Sequence, residues 1–181
     1  MQRSSSGGPL RGPLLKIAAI ALAVVNCFVL DQLVKKIAIA RWSGGDGPPS
    51  CQPVVDGFFE LTYLENRGAA FGIFQDNVAP LALFSLAAFA FVVWKRRDLF
   101  GCSRIGLIAE IFLYSGLFGN LYDRLARGFV VDMFHMHWRE SFDFPVFNVA
   151  DVYITCAGAI LVWLFFRETI ESKRKARSDR A

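Results

Sequence analysis

The sequence predicts an all-α membrane protein with four transmembrane helices. Of its 181 residues, 54% are hydrophobic, which exceeds the apolar fraction of ordinary soluble domains. A helix needs roughly 20 apolar residues to cross the hydrocarbon core of a bilayer. Four stretches come close to that length, at about 14–34, 78–94, 105–122 and 147–166. Together they predict a multi-pass membrane protein.

The distribution of basic residues predicts the orientation of these helices. Lys and Arg are concentrated in three places: in and just after the leader 1–13 (Arg3, Arg11 and Lys16), in the hairpin 95–104, and from Arg167 through the tail 168–181. The loops 41–77 and 124–146 contain few of them. Because cytoplasmic loops carry an excess of Lys and Arg, we expect both termini and the hairpin in the cytoplasm, with the leader disordered. We interpret the basic tail as a topological anchor beside anionic lipid, and we expect no nucleic-acid partner.

The first forty residues predict a retained helix, although they share features with a cleaved signal peptide. An apolar stretch at 17–30 follows basic residues, and the small residues at 38–40 imitate a cleavage site. However, Asp31 and Lys35 stand between the stretch and that site, which signal peptides avoid. We therefore expect one membrane domain over 14–167 that keeps its first helix.

The two outer loops differ in pattern. The first outside loop, 41–77, starts with turn residues and continues with apolar and polar residues in alternation, punctuated by Gly57 and Gly68. This pattern is typical of short strands or of an extended flap on the membrane surface. The second outside loop, 124–146, mixes aromatic and charged residues, and we expect a mobile amphipathic lid there.

Polar residues gather at one side of the predicted membrane. Solvated helix ends would be scattered over both sides, so this convergence predicts a shared functional site at the outer ends of the helices. The polar clusters consist of Asp31, Gln32, Lys35, Asn66, Gly68, Gly119, Asn120, Asp123, Arg124, Asp132, Asn148 and Asp151.

Asp132 and Asp151 are the residues that best suit catalysis. Two neighbouring carboxylates in a poorly hydrated site cannot both ionise easily, so one keeps its proton while the other acts as a base. Such a pair can activate water for peptide hydrolysis without a metal or a covalent intermediate. On spacing alone a structural interpretation is favoured, with Asp151 as a helix cap and Asp132 as a solvated loop residue. The convergence of the polar clusters brings the catalytic interpretation level with it, so both stay open.

The other two acidic candidates each have a basic residue close in sequence. Lys35 follows Asp31 by one helical turn, and Arg124 follows Asp123 directly. A nearby cation favours the ionised carboxylate, so we expect structural pairing at both positions. Amide side chains that could orient the catalytic acids are those of Asn66, Asn120 and Asn148.

The sequence gives little sign of a metal or a cofactor, and we expect neither. His135 and His137 lie two positions apart, and two histidines at that spacing are a weak metal signature. The G-x-S-x-G and H-E-x-x-H motifs of serine and zinc hydrolases are absent from the sequence. Glu110 lies inside the third predicted helix, where we expect a hydrogen bond to Tyr114.

Five short motifs occur in a fixed order along the chain. They are D-Q-x-x-K at 31–35, N-x-G-A-A-F at 66–71, G-N-x-x-D-R at 119–124, V-V-D at 130–132 and F-N-x-A-D at 147–151. As an ordered set they resemble bacterial lipoprotein signal peptidase, also called signal peptidase II, over about 14–167. The chain departs from the family pattern in the segment just before G-N, which is usually small and Gly-rich but here contains Leu117 and Phe118.

The resemblance implies four transmembrane helices, an extracytoplasmic β-like cradle, and an aspartyl peptidase of the bacterial cytoplasmic (inner) membrane, which we expect to be a monomer. Its partners would be membrane lipid and lipid-modified prolipoproteins, cut just before the diacylglyceryl-modified Cys at the outer face. The resemblance assigns catalysis to Asp132 and Asp151. It assigns supporting roles to Asp31, Lys35, Asn66, Gly68, Asn120, Asp123, Arg124, Asn148 and Ala150. From the residues alone, a small carrier that uses the same acids as a proton relay is the alternative.

Overall fold

The computed structural model describes residues 11–45, 48–68, 78–101, 103–138 and 141–178. These residues form five α-helices and four β-strands. In chain order the elements are α1 (Arg11–Trp42), β1 (Gln52–Val55), β2 (Phe59–Asn66), α2 (Val78–Trp94), α3 (Arg96–Phe100), α4 (Arg104–Arg127), β3 (Val130–Trp138), β4 (Phe142–Asp143) and α5 (Val149–Ser178).

Three of the helices are long and apolar enough to cross a membrane. Within the described residues these are α1, α4 and α5. The second predicted span is also a helix, but α2 has 17 residues and falls among the shorter apolar helices. At about 1.5 Å per residue its length is about 25 Å, below the thickness of a typical hydrocarbon core. Membrane crossing by α2 therefore stays a prediction.

The first helix is longer than its apolar stretch indicates. It continues to Trp42, so Asp31 and Lys35 lie inside α1 and not at its end. The additional turns pack against the sheet, where Ala38 and Trp42 form a buried cluster with Val131 and Met133 of β3. Burial of this apolar surface accounts for the extension, because it stabilises helical turns beyond the lipid-facing segment.

The strands form one antiparallel sheet in the order β1-β2-β3-β4. A nine-residue strand, β3, occupies the middle of the segment in which we expected a mobile lid, and the expectation is wrong there. Contact with α1 stabilises the strand, since Val131 and Met133 pack against Ala38 and Trp42. The backbone N–H groups of Met133 and Phe134 both donate to the carbonyl oxygen of Phe147, which forms a bulge where the chain approaches α5.

The contact between α4 and α5 depends on two glycines. A Cβ atom at Gly116 would lie 2.5 Å from the carbonyl oxygen of Ala150 and 2.6 Å from Cγ1 of Ile154. A Cβ atom at Gly119 would lie 3.3 Å from Cβ of Ala150 in α5 and 2.8 Å from Oδ2 of Asp31 in α1. Any larger residue would therefore separate the helices. This close approach brings the beginning of α5 next to the polar residues of α1 and α4.

The two bulky residues that precede Gly119, Leu117 and Phe118, do not interfere with this contact. Phe118 is 41% exposed, and its ring lies 5.0 Å from the ring of Phe28. Leu117 packs beside the buried cluster that includes Val92 and Ala157. The small residues at the helix interface remain Gly116 and Gly119.

Candidate active site

Asp151 is positioned by the start of α5. The side-chain oxygen of Asn148 accepts a hydrogen bond from the backbone N–H of Asp151 at 3.0 Å. In return, Oδ2 of Asp151 accepts one from the backbone N–H of Asn148 at 3.1 Å. This reciprocal pair is a capping box, which satisfies two helix N–H groups that have no partner within the helix. The capping interpretation of Asp151 therefore holds, and it fixes the direction of the carboxylate.

The same Asn148 also contacts the second acid. Its amide nitrogen donates to Oδ1 of Asp132 at 2.6 Å, while the amide of Asn66 donates to Oδ2 of Asp132 at 2.9 Å. The amide of Asn120 donates to Oδ1 of Asp151 at 2.8 Å. Asn148 thus contacts both carboxylates, which brings Asp132 of β3 and Asp151 of α5 into one site.

Asp132 is buried and therefore not a solvated loop residue. Only 1% of it is exposed. Burial, followed by repulsion from the charge of Asp151, raises the pKa of the Asp132 carboxyl to about 7. Hydrogen bonds from Asn66 and Asn148 and the charge of Lys35 act in the opposite direction without cancelling the shift. At neutral pH this carboxyl exchanges its proton readily, which general acid–base chemistry requires.

A second, fully enclosed polar cluster lies deeper, around Lys35. The side chains of Lys35, Asp31 and Asp123 are all 0% exposed. The ammonium nitrogen of Lys35 lies 2.9 Å from Oδ2 of Asp31 and 2.8 Å from Oδ2 of Asp123. It also donates to the side-chain oxygen of Asn120 at 3.2 Å. This amide is the one that binds Asp151, so Lys35 orients it.

The expected pairing of Asp123 with Arg124 is wrong. Asp123 pairs with Lys35 and with Arg127, which follows one helical turn later, and accepts from the amide of Gln32 at 3.0 Å. Adjacent residues point in different directions around a helix, whereas residues four positions apart lie on one face. Arg124 instead donates to the backbone oxygen of Asn120 at 3.3 Å and interacts electrostatically with the two acids of the site.

The remaining supporting residues are also placed at the site. Oδ1 of Asp31 accepts from the backbone N–H of Ala150 at 3.0 Å, a further unpaired helix N–H of α5. The backbone N–H of Gly68 donates to the side-chain oxygen of Asn66 at 3.1 Å. This bond turns the amide nitrogen of Asn66 toward Asp132. All of the residues that the sequence assigned to the site therefore meet in the structure.

Glu110 lies near the beginning of α4 and not among these residues. It contacts Tyr114, as the spacing indicated, but it also pairs with Arg96 of α3. The pair lies on the hairpin side of the helix, so Glu110 is not the midplane acid that a proton-relay carrier would use.

Sequence reasoning missed the acidic partners of the two histidines. Nδ1 of His135 lies 2.8 Å from Glu60, and Nε2 lies 2.6 Å from Asp143. Burial lowers the pKa of His135, but hydrogen bonds to these two carboxylates outweigh it and raise the pKa. The partners belong to β2 and β4, so no spacing within β3 could have revealed them.

The chain matches a family model described as signal peptidase (SPase) II over residues 23–167. The chain belongs to the signal peptidase II family. Among curated relatives, the lipoprotein signal peptidase of Clostridium novyi (strain NT) is 34% identical and aligns over 81% of this chain and 97% of its own. Those of Streptococcus pneumoniae and Shewanella loihica are 35% and 38% identical, each covering 86% of this chain and, respectively, 97% and 88% of the relative.

Solved structures agree in fold. A bacterial membrane enzyme determined by the in meso method at 1.9 Å resolution superposes with a TM-score of 0.68 at 25% identity, covering 82% of this chain and 93% of that one. A second such enzyme, at 2.3 Å resolution, gives a TM-score of 0.64 at 27% identity, covering 84% and 90%. As a family member, the chain is a membrane-embedded peptidase that removes signal peptides from prolipoproteins. This membership excludes the carrier interpretation.

Proposed function

We propose that the chain is an aspartyl endopeptidase that cuts diacylglyceryl-modified prolipoproteins immediately before the lipidated Cys. The observation that carries the proposal is the contact of Asn148 with both Asp132 and Asp151. Among the ion pairs of the described residues, none includes either acid. Because no cation of the described residues forms an ion pair with them, the two carboxylates can exchange protons with a water molecule and a substrate.

The raised pKa of Asp132 supports an assignment of the starting protons. Asp132 holds the proton, and Asp151, half-buried at the start of α5, is the base. Water attacks the carbonyl carbon of the scissile bond and gives a proton to Asp151, while Asp132 gives its proton to the carbonyl oxygen. The product of this step is a neutral gem-diol, and the two carboxyl groups have exchanged roles.

Collapse of the gem-diol restores the starting state. The C–N bond breaks as Asp151 returns its proton to the leaving nitrogen, and one diol hydroxyl returns a proton to Asp132. The products are a free carboxyl group on the signal peptide and a free amino group on the lipidated Cys. No proton is gained or lost by the enzyme over the cycle.

We also propose that the site faces the extracytoplasmic side of the bacterial cytoplasmic membrane, with both termini in the cytoplasm. The basic hairpin and the basic tail support this orientation through the excess of Lys and Arg in cytoplasmic loops. A diacylglyceryl anchor contributes about 0.8 kcal/mol for each buried CH₂ group. The anchor therefore fixes the depth of the scissile bond at the membrane edge, where Asp151 lies in the first turn of α5.

The test is single-turnover cleavage of one prolipoprotein with and without its diacylglyceryl group, in the same detergent, followed by mass analysis. We expect one cut before the Cys, and at saturating substrate a rate at least about tenfold lower without the lipid. Equal rates would show that the enzyme recognises the peptide alone. A cut elsewhere would contradict the proposed specificity.

A further inference from the structure

A second group of reactive side chains lies farther along β3, away from the catalytic acids. Glu60 of β2 pairs directly with His135 of β3, and His137 is the next residue on the same face. One possible ligand atom from each of these three residues lies within 4.8 Å of the other two. All three are partly buried, with side-chain exposures between 22% and 25%, so an ion can reach them from solution.

The hydrogen bonds of His135 match those of a metal-binding histidine. Asp143, which is 80% exposed, lies 2.6 Å from Nε2, so the N–H at that position donates to a carboxylate. Nδ1 then faces Glu60 at 2.8 Å. Each ring nitrogen of His135 therefore faces a carboxylate. With Nε2 carrying its own proton, the contact between Nδ1 and Glu60 is favourable only when a second proton or a metal ion lies between them. At many zinc sites a carboxylate binds one nitrogen of a histidine ring whose other nitrogen binds the metal.

The distances suit a small divalent ion after modest side-chain movement. In a tetrahedral zinc site with bonds of about 2.0–2.1 Å, ligand atoms lie about 3.3 Å apart. The contact of 2.8 Å between His135 and Glu60 would lengthen, and the 3.9 Å between His137 Nε2 and Glu60 would shorten. The three side chains project from paired strands, and their ligand atoms, which lie within 4.8 Å of one another, can draw together by side-chain rotation.

We propose that Glu60, His135 and His137 form a binding site for a divalent transition-metal ion, with Zn²⁺ as the ion the ligand types suit best. Two imidazoles and one carboxylate are a borderline ligand set that favours Zn²⁺ over Mg²⁺ or Ca²⁺. Water occupies the fourth position, and Asp143 holds His135 from behind. The thiol of Cys51 also contacts Glu60, which places a sulfur atom, a soft ligand, beside the site.

The bound ion joins β2 to β3 and, through Asp143, to β4. Its role is structural, because Asp132 pairs with a different part of β2, at Leu64, and its side chain has different partners, Asn66 and Asn148. An ion that binds the folded protein and not the unfolded chain raises stability by mass action. The site is independent of the proposed catalytic mechanism, which needs no ion.

The test uses the full-length protein without an affinity tag, purified in detergent and treated with a chelator. Zn²⁺ is titrated against a chromophoric competitor, and thermal unfolding is recorded with and without the ion. We expect one tightly bound ion per chain and a rise in Tm of several degrees. We expect Asp143→Asn to weaken binding about 10- to 100-fold, the range known for carboxylates that support ligands.

His137→Ala is the most informative variant, because in the ion-free protein the His137 side chain makes only weak contacts among the described residues: 3.9 Å from Nε2 to Glu60, and 5.1 Å between the ring centroids of His137 and His135. Its ion-free Tm should equal that of the unsubstituted protein, while its zinc affinity falls at least about 100-fold, as expected for loss of one ligand in three. The control is Glu65→Gln, which removes a carboxylate from β2, the strand of Glu60. Glu65 pairs with Arg67 and is not a proposed ligand, so this variant should bind zinc normally. Undiminished binding by His137→Ala, or no rise in Tm with zinc, would overturn the proposal.

Discussion

Two pairs of carboxylates lie close together in this molecule, and they differ in their partners. Asp31 and Asp123 share the ammonium group of Lys35 and are fully enclosed. Asp132 and Asp151 are bound by amides of asparagine and lack a direct cationic partner among the described residues. A cation strongly favours the ionised carboxylate, whereas the amide N–H groups at Asp132 favour it too weakly to outweigh burial, so this carboxyl can hold a proton. The first pair is suited to support and the second to chemistry.

The two pairs are connected through a single residue. The side-chain oxygen of Asn120 accepts from Lys35, so its nitrogen is directed toward Asp151. Asp31 contributes a second connection by binding the backbone N–H of Ala150 in the first turn of α5. The buried salt bridges therefore orient the catalytic carboxylate without touching it. Substitutions should separate these roles. Changes at Asp132 and Asp151 should lower activity, and changes that break the pairing of Asp31 and Asp123 with Lys35 should impair folding.

The largest effect is expected for Asp132→Asn and Asp151→Asn. Each removes proton exchange while keeping a similar shape, so cleavage should fall at least about 1,000-fold, within the range for loss of a general acid or base. Thermal stability should be kept. Single-turnover cleavage and thermal unfolding of the same preparations measure both quantities. Substantial turnover by either variant would contradict the assignment of the pair.

Loss of Lys35 is expected to affect folding first. Lys35→Met leaves Asp31 and Asp123 buried without their shared cation, which typically costs about 3–5 kcal/mol. The matched control is Lys95→Met, because Lys95 pairs with Asp98 at the exposed hairpin, where an ion pair contributes about 0–1 kcal/mol. Thermal unfolding and the yield of folded protein distinguish them. Similar stability of both variants would contradict the structural role of the enclosed pair.

A smaller effect concerns the pH dependence of stability. The folded-state pKa of Asp132, about 7, is raised above its ordinary value, so the folded protein binds the proton more tightly than the unfolded chain. The resulting stabilisation is fully present below the unfolded pKa and is lost as pH rises through the folded pKa. Between about pH 6 and pH 8 it decreases by on the order of 1 kcal/mol. Thermal unfolding of Asp132→Asn should show a flatter pH dependence, and an unchanged slope would count against a raised pKa.

The smallest effect on catalysis is expected for chelation. The proposed mechanism uses only the protons of Asp132 and Asp151, so activity should survive exhaustive treatment with EDTA at a temperature where the protein stays folded. Only Tm should fall if a bound zinc ion is removed. If EDTA removed activity and zinc restored it, the hydrolytic step would need a metal, and the proposed mechanism would be wrong.

The fold class and the members of the site could be predicted because both depend on local patterns. Apolar length predicts the helices, and the placement of acids and amides at one side predicts their meeting. The individual partners could not be predicted where they come from distant elements. Asp123 pairs with Lys35 and Arg127 and not with Arg124, and His135 meets acids of two other strands. The strand β3 escaped prediction because its inward residues are stabilised by α1, which the local pattern does not contain.

The central claim is that Asp132 keeps a proton at neutral pH because it is buried beside the charge of Asp151. The most direct measurement is the titration of its carboxyl group, followed by infrared or carbon-13 signals assigned through the loss of signal in Asp132→Asn. We predict a pKa near 7 in the unsubstituted protein, as burial and Asp151 require, and a lower pKa in Asp151→Asn, where the neighbouring charge is gone. Titration near the ordinary value of about 4 for an aspartate, or no change on removal of Asp151, would contradict the account.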